Sequence, residues 1–154
     1  PAAVLYIMKR EGLSPDEMDT ILNKKSGLLA VSGLSSDMRE VGEAYERGDE
    51  AAMLAVKMFA HRIKKYIGSY IAVLGGLDAL VFTAGVGEHS PLVRELASEG
   101  LAFLGITVDP AKNAAAMGGE HDIGADGAPV RVLVIPTNEE IVIAREAERL
   151  CKEG

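Results

Sequence analysis

Ala79-Leu80-Val81-Phe82-Thr83-Ala84-Gly85-Val86-Gly87-Glu88-His89-Ser90-Pro91 decides the fold class. Ala79 to Thr83 is a continuous apolar run without alternation, which predicts a strand buried on both faces, as in a parallel sheet. Gly85-Val86-Gly87 turns the chain. Ser90-Pro91 then has the signature of a helix start, with a hydroxyl for a free N–H and a proline at the first helical position. The pattern recurs downstream. Val130 to Ile135 reads as a second buried-type strand, and Thr137-Asn138-Glu139-Glu140 reads as a capping box opening the last helix, to about Cys151. Two units of strand, tight turn and capped helix make an α/β protein. In such sheets ligands bind beyond the carboxyl ends of the strands, which directs attention to Thr83–Ser90 and Pro136–Glu140.

Outward from these units, helix punctuation is legible. Ala2 to Arg10 reads as a short helix ending at Gly12. Ser14-Pro15-Asp16-Glu17 is a capping box opening a helix to about Lys25, stopped at Gly27. Leu28 to Ser35 is expected to be a loop or short extended piece. Asp37 is the cap of a helix running to Glu46. Met53, Val56, Ala60, Ile63, Ile67, Tyr70 and Leu74 recur at steps of three and four, one apolar face of a long helix ended by Gly75-Gly76. Lys57, His61, Lys64 and Lys65 fall on its opposite face. The helix from Ser90-Pro91 should reach about Leu101. Ile106-Thr107-Val108 is a candidate edge strand, and Asp109 to Ala128 is expected to be loop with room for a hairpin.

Composition narrows the function classes. The 154 residues fit about one domain, with 48% hydrophobic and 25% charged residues. That is no disordered tail or low-complexity stalk. Lysine and arginine number 16 against 23 acidic residues, a net charge of −7. Such a chain lacks the counterion-release drive for nucleic acid, although one nucleotide with its metal stays open. The single cysteine, Cys151, rules out an internal disulfide and a cysteine-based zinc cluster, and fits a reducing, cytoplasmic setting. Between Tyr66 and Gly87 the only charge is Asp78, but Gly75-Gly76 and a change of period break the run, so no membrane span is expected. The chain starts at Pro1 and continues without a signal-peptide pattern, which suggests a piece of a longer protein.

The residues that could carry chemistry each have two readings. The Thr83–Glu88 turn is either a ligand loop, whose glycines bring backbone close to an anion, or a plain tight turn. It is no Walker A loop, since no Gly-Lys-Ser/Thr follows, and Ser90, followed by Pro91, stands where a dinucleotide fingerprint needs its third glycine. That fails a nucleotide-linked oxidoreductase. Glu140 is explained as the N3 member of the Thr137 box. Glu139 is not needed by that box, and a hard carboxylate at this edge is either solvated or a ligand for Mg²⁺. Asp37 and Arg39 are either cap and solvated charge, or a nucleotide contact. His61, His89 and His121 have no metal-ligand spacing, and His89 alone adjoins a candidate loop.

Three segments in register resemble the acetate kinase family (acetokinase, with propionate kinase in the same group). They are Asn23-Lys24-Lys25-Ser26-Gly27-Leu28 through Gly33-Leu34-Ser35-Ser36-Asp37-Met38-Arg39-Glu40, then Val81 to Ser90, then Val134-Ile135-Pro136-Thr137-Asn138-Glu139-Glu140. Their order and spacing match the family's carboxy-terminal part, and the resemblance covers essentially the whole chain. It implies an actin/hexokinase-like (RNase-H-like) kinase domain, here incomplete, with a mixed sheet and flanking helices. Residues 1–154 would be part of the carboxy-terminal nucleotide-binding domain. The implied reaction moves a phosphoryl group between ATP and acetate, giving acetyl phosphate and ADP, with Mg²⁺. By motif, Asp37, Met38 and Arg39 resemble the segment contacting adenosine. Gly85, Val86, Gly87, Glu88 and His89 resemble the second nucleotide loop, and Glu139 the carboxylate linked to Mg²⁺. His89 stands where the family pattern has Asn. The acyl pocket for acetate or propionate, and the His and Arg that stabilise the transferring phosphoryl, are implied to lie upstream in a missing amino-terminal half. This chain alone is therefore expected to be inactive. The family also implies a homodimer, so the alternative is a non-catalytic dimerisation module built on the long helix.

Overall fold

In the computed structural model, residues 2–153 are described, apart from the side chains of Glu139 and Glu153. The chain divides into two compact units, Pro1–Tyr66 and Ile67–Gly154.

The first unit is helical. α1 (Ala2–Glu11) and α2 (Pro15–Lys24) are separated by Gly12 at a φ of 68°, which a side-chain-bearing residue rarely adopts. The expected capping box opens α2: Glu17 N donates to Ser14 Oγ, while Ser14 N donates to Glu17 Oε2 at 2.8 Å. Leu28–Ser32 is not the expected loop but a short helix, α3. The glycines at 27 and 33, both at positive φ, bracket a stretch that opens with the good helix formers Leu28, Leu29 and Ala30. α4 (Met38–Glu46) starts at the Asp37 cap, and α5 (Glu50–Leu74) follows, contributing residues to both units. Met18, Met38, Val41, Ala44, Ala52, Ala55, Val56 and Ala60 are buried. The α5 stripe is thus buried at Val56, Ala60 and Ile67, but Tyr70 and Leu74 at its end are exposed. A groove of about 590 Å³ in this unit has an apolar floor of Leu28, Val31, Ala55 and Phe59 with a basic rim, remote in sequence from both glycine turns.

The second unit holds the sheet. Among the described residues three strands, β1 (Ala79–Phe82), β2 (His121–Asp122) and β3 (Arg131–Val134), lie in the order β1-β3-β2. β1 and β3 are parallel, with Ala79 opposite Arg131 and Phe82 opposite Val134. β2 is antiparallel to β3, so the sheet is mixed, as expected. Central β3 buries Val132 and Val134, whereas β1 is an edge strand. Burial of β1 on both faces does not hold: successive side chains point to opposite faces, and Phe82 is buried while Val81, on the face left open, is exposed. Ile106 and Val108 make only isolated bridges, to Val130 and Gly124. α6 (Ala84–His89) and α7 (Pro91–Ser98) follow β1, and α7 ends three residues before the expected Leu101. The 109–128 segment contains more than loop: Asp109 caps a helix, α8 (Pro110–Ala115), and β2 returns along β3. α9 (Glu139–Glu153) closes the chain. No helix of the described residues is long and apolar enough to cross a membrane.

Candidate functional site

Because β1 and β3 are parallel and adjacent, their carboxyl ends open onto one edge. Ile135 N donates to Phe82 O at 3.0 Å, extending the pairing by one step past the strands. The two segments that leave this edge are Thr83–Ser90 and Ile135–Asn138.

The first turns sharply. Thr83 is extended, and Ala84 then sits at a φ of 59°, the sole non-glycine at positive φ among the described residues. Such backbone is costly for alanine and is sustained by its surroundings. The glycines on either side of Val86 have different origins. A Cβ on Gly87 would lie 3.2 Å from the Phe82 carbonyl carbon and 3.5 Å from Phe82 Cα, so the fold demands glycine there. A Cβ on Gly85 would meet nothing within 4 Å, and its φ is not positive. Glycine at 85 leaves an open approach to the backbone that the fold itself does not use.

Glu88 joins this loop to the next. Its Oε1 accepts from Thr137 N at 2.9 Å and Thr137 Oγ1 at 3.1 Å. These bonds, the backbone one foremost, hold the Glu88 carboxyl below the usual carboxylate range. The expected Thr137–Glu140 capping box is therefore not formed. Thr137 is engaged by Glu88, and Asn138 caps α9 instead, its Oδ1 accepting from Ile141 N at 3.0 Å. His89 is turned back on its own helix, with Nδ1 3.0 Å from Gly85 O, an arrangement in which that nitrogen donates.

Asp37, Met38 and Arg39 lie at the start of α4 in the first unit. Asp37 Oδ1 accepts from Arg39 N at 2.8 Å, the expected cap. The Arg39 guanidinium folds onto the same carboxylate, with Nη2 2.6 Å from Oδ2. These bonds pull the Asp37 carboxyl down to about 2 and raise Arg39. Met38 is buried beneath them. The Arg39 side chain is 87% exposed and thus accessible to a ligand, at the cost of loosening Asp37.

Glu139 is the first residue of α9, next to the Asn138 cap, so its backbone leaves the same sheet edge. Its side chain lies outside the described residues. Among the described residues no three His, Cys, Asp or Glu side chains are grouped to hold a metal. Mg²⁺ commonly takes one or two carboxylates and completes its shell with phosphates and water, so a single carboxylate is chemically suited to that ion.

One residue escaped the sequence reading. Arg94 of α7 is fully buried, and its Nη1 donates to the carbonyls of Gly87 and Glu88 at 2.9 and 2.8 Å. A charge on the helix stripe that also carries Val93, Ala97 and Ser98 was the available signal.

Comparison with known proteins follows the same line. The model of the Acetokinase family matches residues 1–145. The chain is 58% identical over 153 residues to an acetate kinase of Dictyoglomus turgidum, covering 99% of this chain and 38% of that protein. It is 53% identical over 152 residues to one of Methanosarcina acetivorans, covering 99% and 37%. The crystal structure of Porphyromonas gingivalis acetate kinase superposes with a TM-score of 0.89 at 42% identity, over 98% of this chain and 38% of that one. A propionate kinase from Francisella tularensis gives 0.85 at 40% identity, over 95% and 37%. The chain thus spans well under half the length of the relatives it matches, and its α/β fold is an incomplete copy of the actin/hexokinase-like fold of these kinases. On these matches, the chain belongs to the acetokinase family.

Proposed function

We propose that this chain supplies the nucleotide and metal side of an acetate kinase, which transfers phosphoryl between ATP and acetate to give acetyl phosphate and ADP. The observation that carries the reading is the Glu88–Thr137 junction, which brings the glycine turn and the start of α9 together at one sheet edge. Phosphoryl transfer is largely positioning and electrostatic stabilisation, so these residues act by binding and orienting. The backbone of Gly85, Val86 and Gly87 faces phosphate, with the space above Gly85 admitting it. Glu88 and His89 belong to the same loop and shape it through Thr137 and Gly85. Asp37, Met38 and Arg39 contact the nucleoside part. Glu139 holds Mg²⁺, directly or through water, and the ion screens phosphate charge when bound.

No catalytic residue is assigned to this chain. Acetate or propionate, and the groups that act on the transferring phosphoryl, belong to the longer protein of the relatives' length. The reaction's setting is cytoplasmic in this reading. Calorimetry with Mg-ATP tests it. Binding by the wild-type chain that is lost in Arg39→Ala and in Gly87→Val supports the site, and unchanged binding in both variants removes it. The chain alone should show no acetate phosphorylation, and a turnover rate typical of kinases would overturn that division of labour.

A specific observation favours a second, compatible reading, the homodimer. The end of α5 exposes Tyr70, Val73 and Leu74, and Val73 is 80% exposed. Apolar side chains clustered at the end of one helix suit a partner surface. Sedimentation velocity of wild type against Val73→Glu reads this directly, with a shift to monomer expected.

A further inference from the structure

We propose that Arg94 is a positioning residue for the 84–89 loop, holding the backbone that meets the nucleotide without touching the nucleotide itself. The inference rests on the nucleotide reading of that loop.

All five guanidinium N–H groups have acceptors. Nε donates to Asn113 Oδ1 at 2.7 Å, Nη1 to Gly87 O and Glu88 O, and Nη2 to Asn113 O at 2.9 Å and Ala116 O at 3.3 Å. No carboxylate is among these partners. A buried cation without a counter-ion is expensive, and an apolar side chain would fill the same volume at lower cost. Burial accordingly lowers the Arg94 pKa. What the charge supplies instead is a planar fork that binds two carbonyls of α6 on one side and two around α8 on the other.

α6 needs such a grip. At six residues it is too short to be stable by itself, and the carbonyls of its last turn lack helical partners. A cation at that end is favoured by the helix dipole. The loop also begins at Ala84 in left-handed backbone, which must be held from outside. Arg94 holds the Glu88 carbonyl while Thr137 holds the Glu88 carboxylate. Residue 88 is thereby fixed at both ends, between α7 and the start of α9. Asn113 completes the arrangement, its Nδ2 donating to Pro91 O at 2.9 Å, so α8 is tied to the first turn of α7. Lysine keeps the charge but lacks the fork.

The test compares Arg94→Lys with Val93→Ala, a buried neighbour on the same helix that makes no polar contact with the loop. Amide exchange, Mg-ATP affinity and unfolding midpoint are measured on each. Arg94→Lys should speed exchange at residues 85–89 and 137 at least tenfold and weaken Mg-ATP at least tenfold. Val93→Ala, compared at an equal distance below its midpoint, should leave both within twofold. Arg94→Lys behaving like Val93→Ala in exchange and affinity overturns the proposal. If the wild-type chain itself fails to bind Mg-ATP, the nucleotide reading falls, and exchange alone then decides whether Arg94 positions the loop. Should Arg94→Lys not fold, Asn113→Ala replaces it, since it frees Nε while keeping the cation. Faster exchange at 85–89 in that variant supports the role, and unchanged exchange there refutes it.

Discussion

Replacing Gly85 by alanine should make the protein more stable and a poorer nucleotide binder, two effects that rarely go together. Gly85 lies within α6 at ordinary φ, and a Cβ there meets nothing within 4 Å. Alanine is preferred to glycine in a helix by about 0.5–1 kcal/mol, and at the open end of so short a helix the lower figure applies. For a chain of this size that raises the unfolding midpoint by roughly 1–2 °C. The same methyl occupies the space through which a phosphate would reach the backbone, and a tenfold weaker Mg-ATP affinity corresponds to about 1.4 kcal/mol. Gly87→Ala separates the two causes. Its methyl would sit 3.2 Å from the Phe82 carbonyl carbon, backbone that cannot swing aside. That variant should lose on the order of 1–3 kcal/mol of stability along with affinity. Scanning calorimetry and titration calorimetry on both variants give the answer. A Gly85→Ala protein that binds Mg-ATP as wild type does, or that melts lower, refutes the reasoning that this glycine serves a ligand.

Other outcomes follow from the same geometry. Asp37 should titrate at about 2 against an ordinary 3.8. Since its folded pKa is the lower one, its stabilisation of the α4 start is present above 3.8 and is lost as pH falls toward about 2. Carboxyl NMR of Arg39→Ala should show the midpoint moving up but not fully back, because residue 39 still donates its backbone N–H; an unmoved midpoint contradicts the pairing. Thr137→Val removes the hydroxyl donor to Glu88, and the Glu88 carboxyl should rise toward its ordinary value while the backbone bonds remain. Ser14→Ala should cost about 1 kcal/mol by chemical denaturation through loss of the α2 cap, and no change would show that the box is dispensable. Ile123→Val, at a fully buried site beside the sheet, should cost about 0.5–1.5 kcal/mol in the same assay.

Features legible in the sequence share one property: the interaction closes within about one helical turn. Ser14 reaches Glu17, Asp37 reaches Arg39 and Ser90 reaches Val93, each three residues apart or fewer. The parallel strands were legible too, because an apolar run is local information, but Gly85-Val86-Gly87 lies within the short helix α6 and not in the expected tight turn. The same local grammar operates at Asp109-Pro110, where Asp109 Oδ1 accepts from Lys112 N and opens α8 within the stretch expected to be loop. The remainder could not be read in this way. Thr137 was free, as far as its neighbours show, to cap α9; instead its N–H and hydroxyl donate to Glu88, 49 residues earlier, and Asn138 Oδ1 accepts from Ile141 N as the cap. Arg94 stands on an apolar helix stripe, but which groups receive its guanidinium depends on partners 19 and 22 residues downstream. The exposure of Val81 in β1 likewise depends on which face of the sheet is covered, not on the strand's own apolar residues. Short-range hydrogen bonds are chosen by a few adjacent side chains, so the order of letters determines them. A bond between distant residues is chosen by whichever donor and acceptor the assembled sheet and helices bring within reach, and only the tertiary structure decides that.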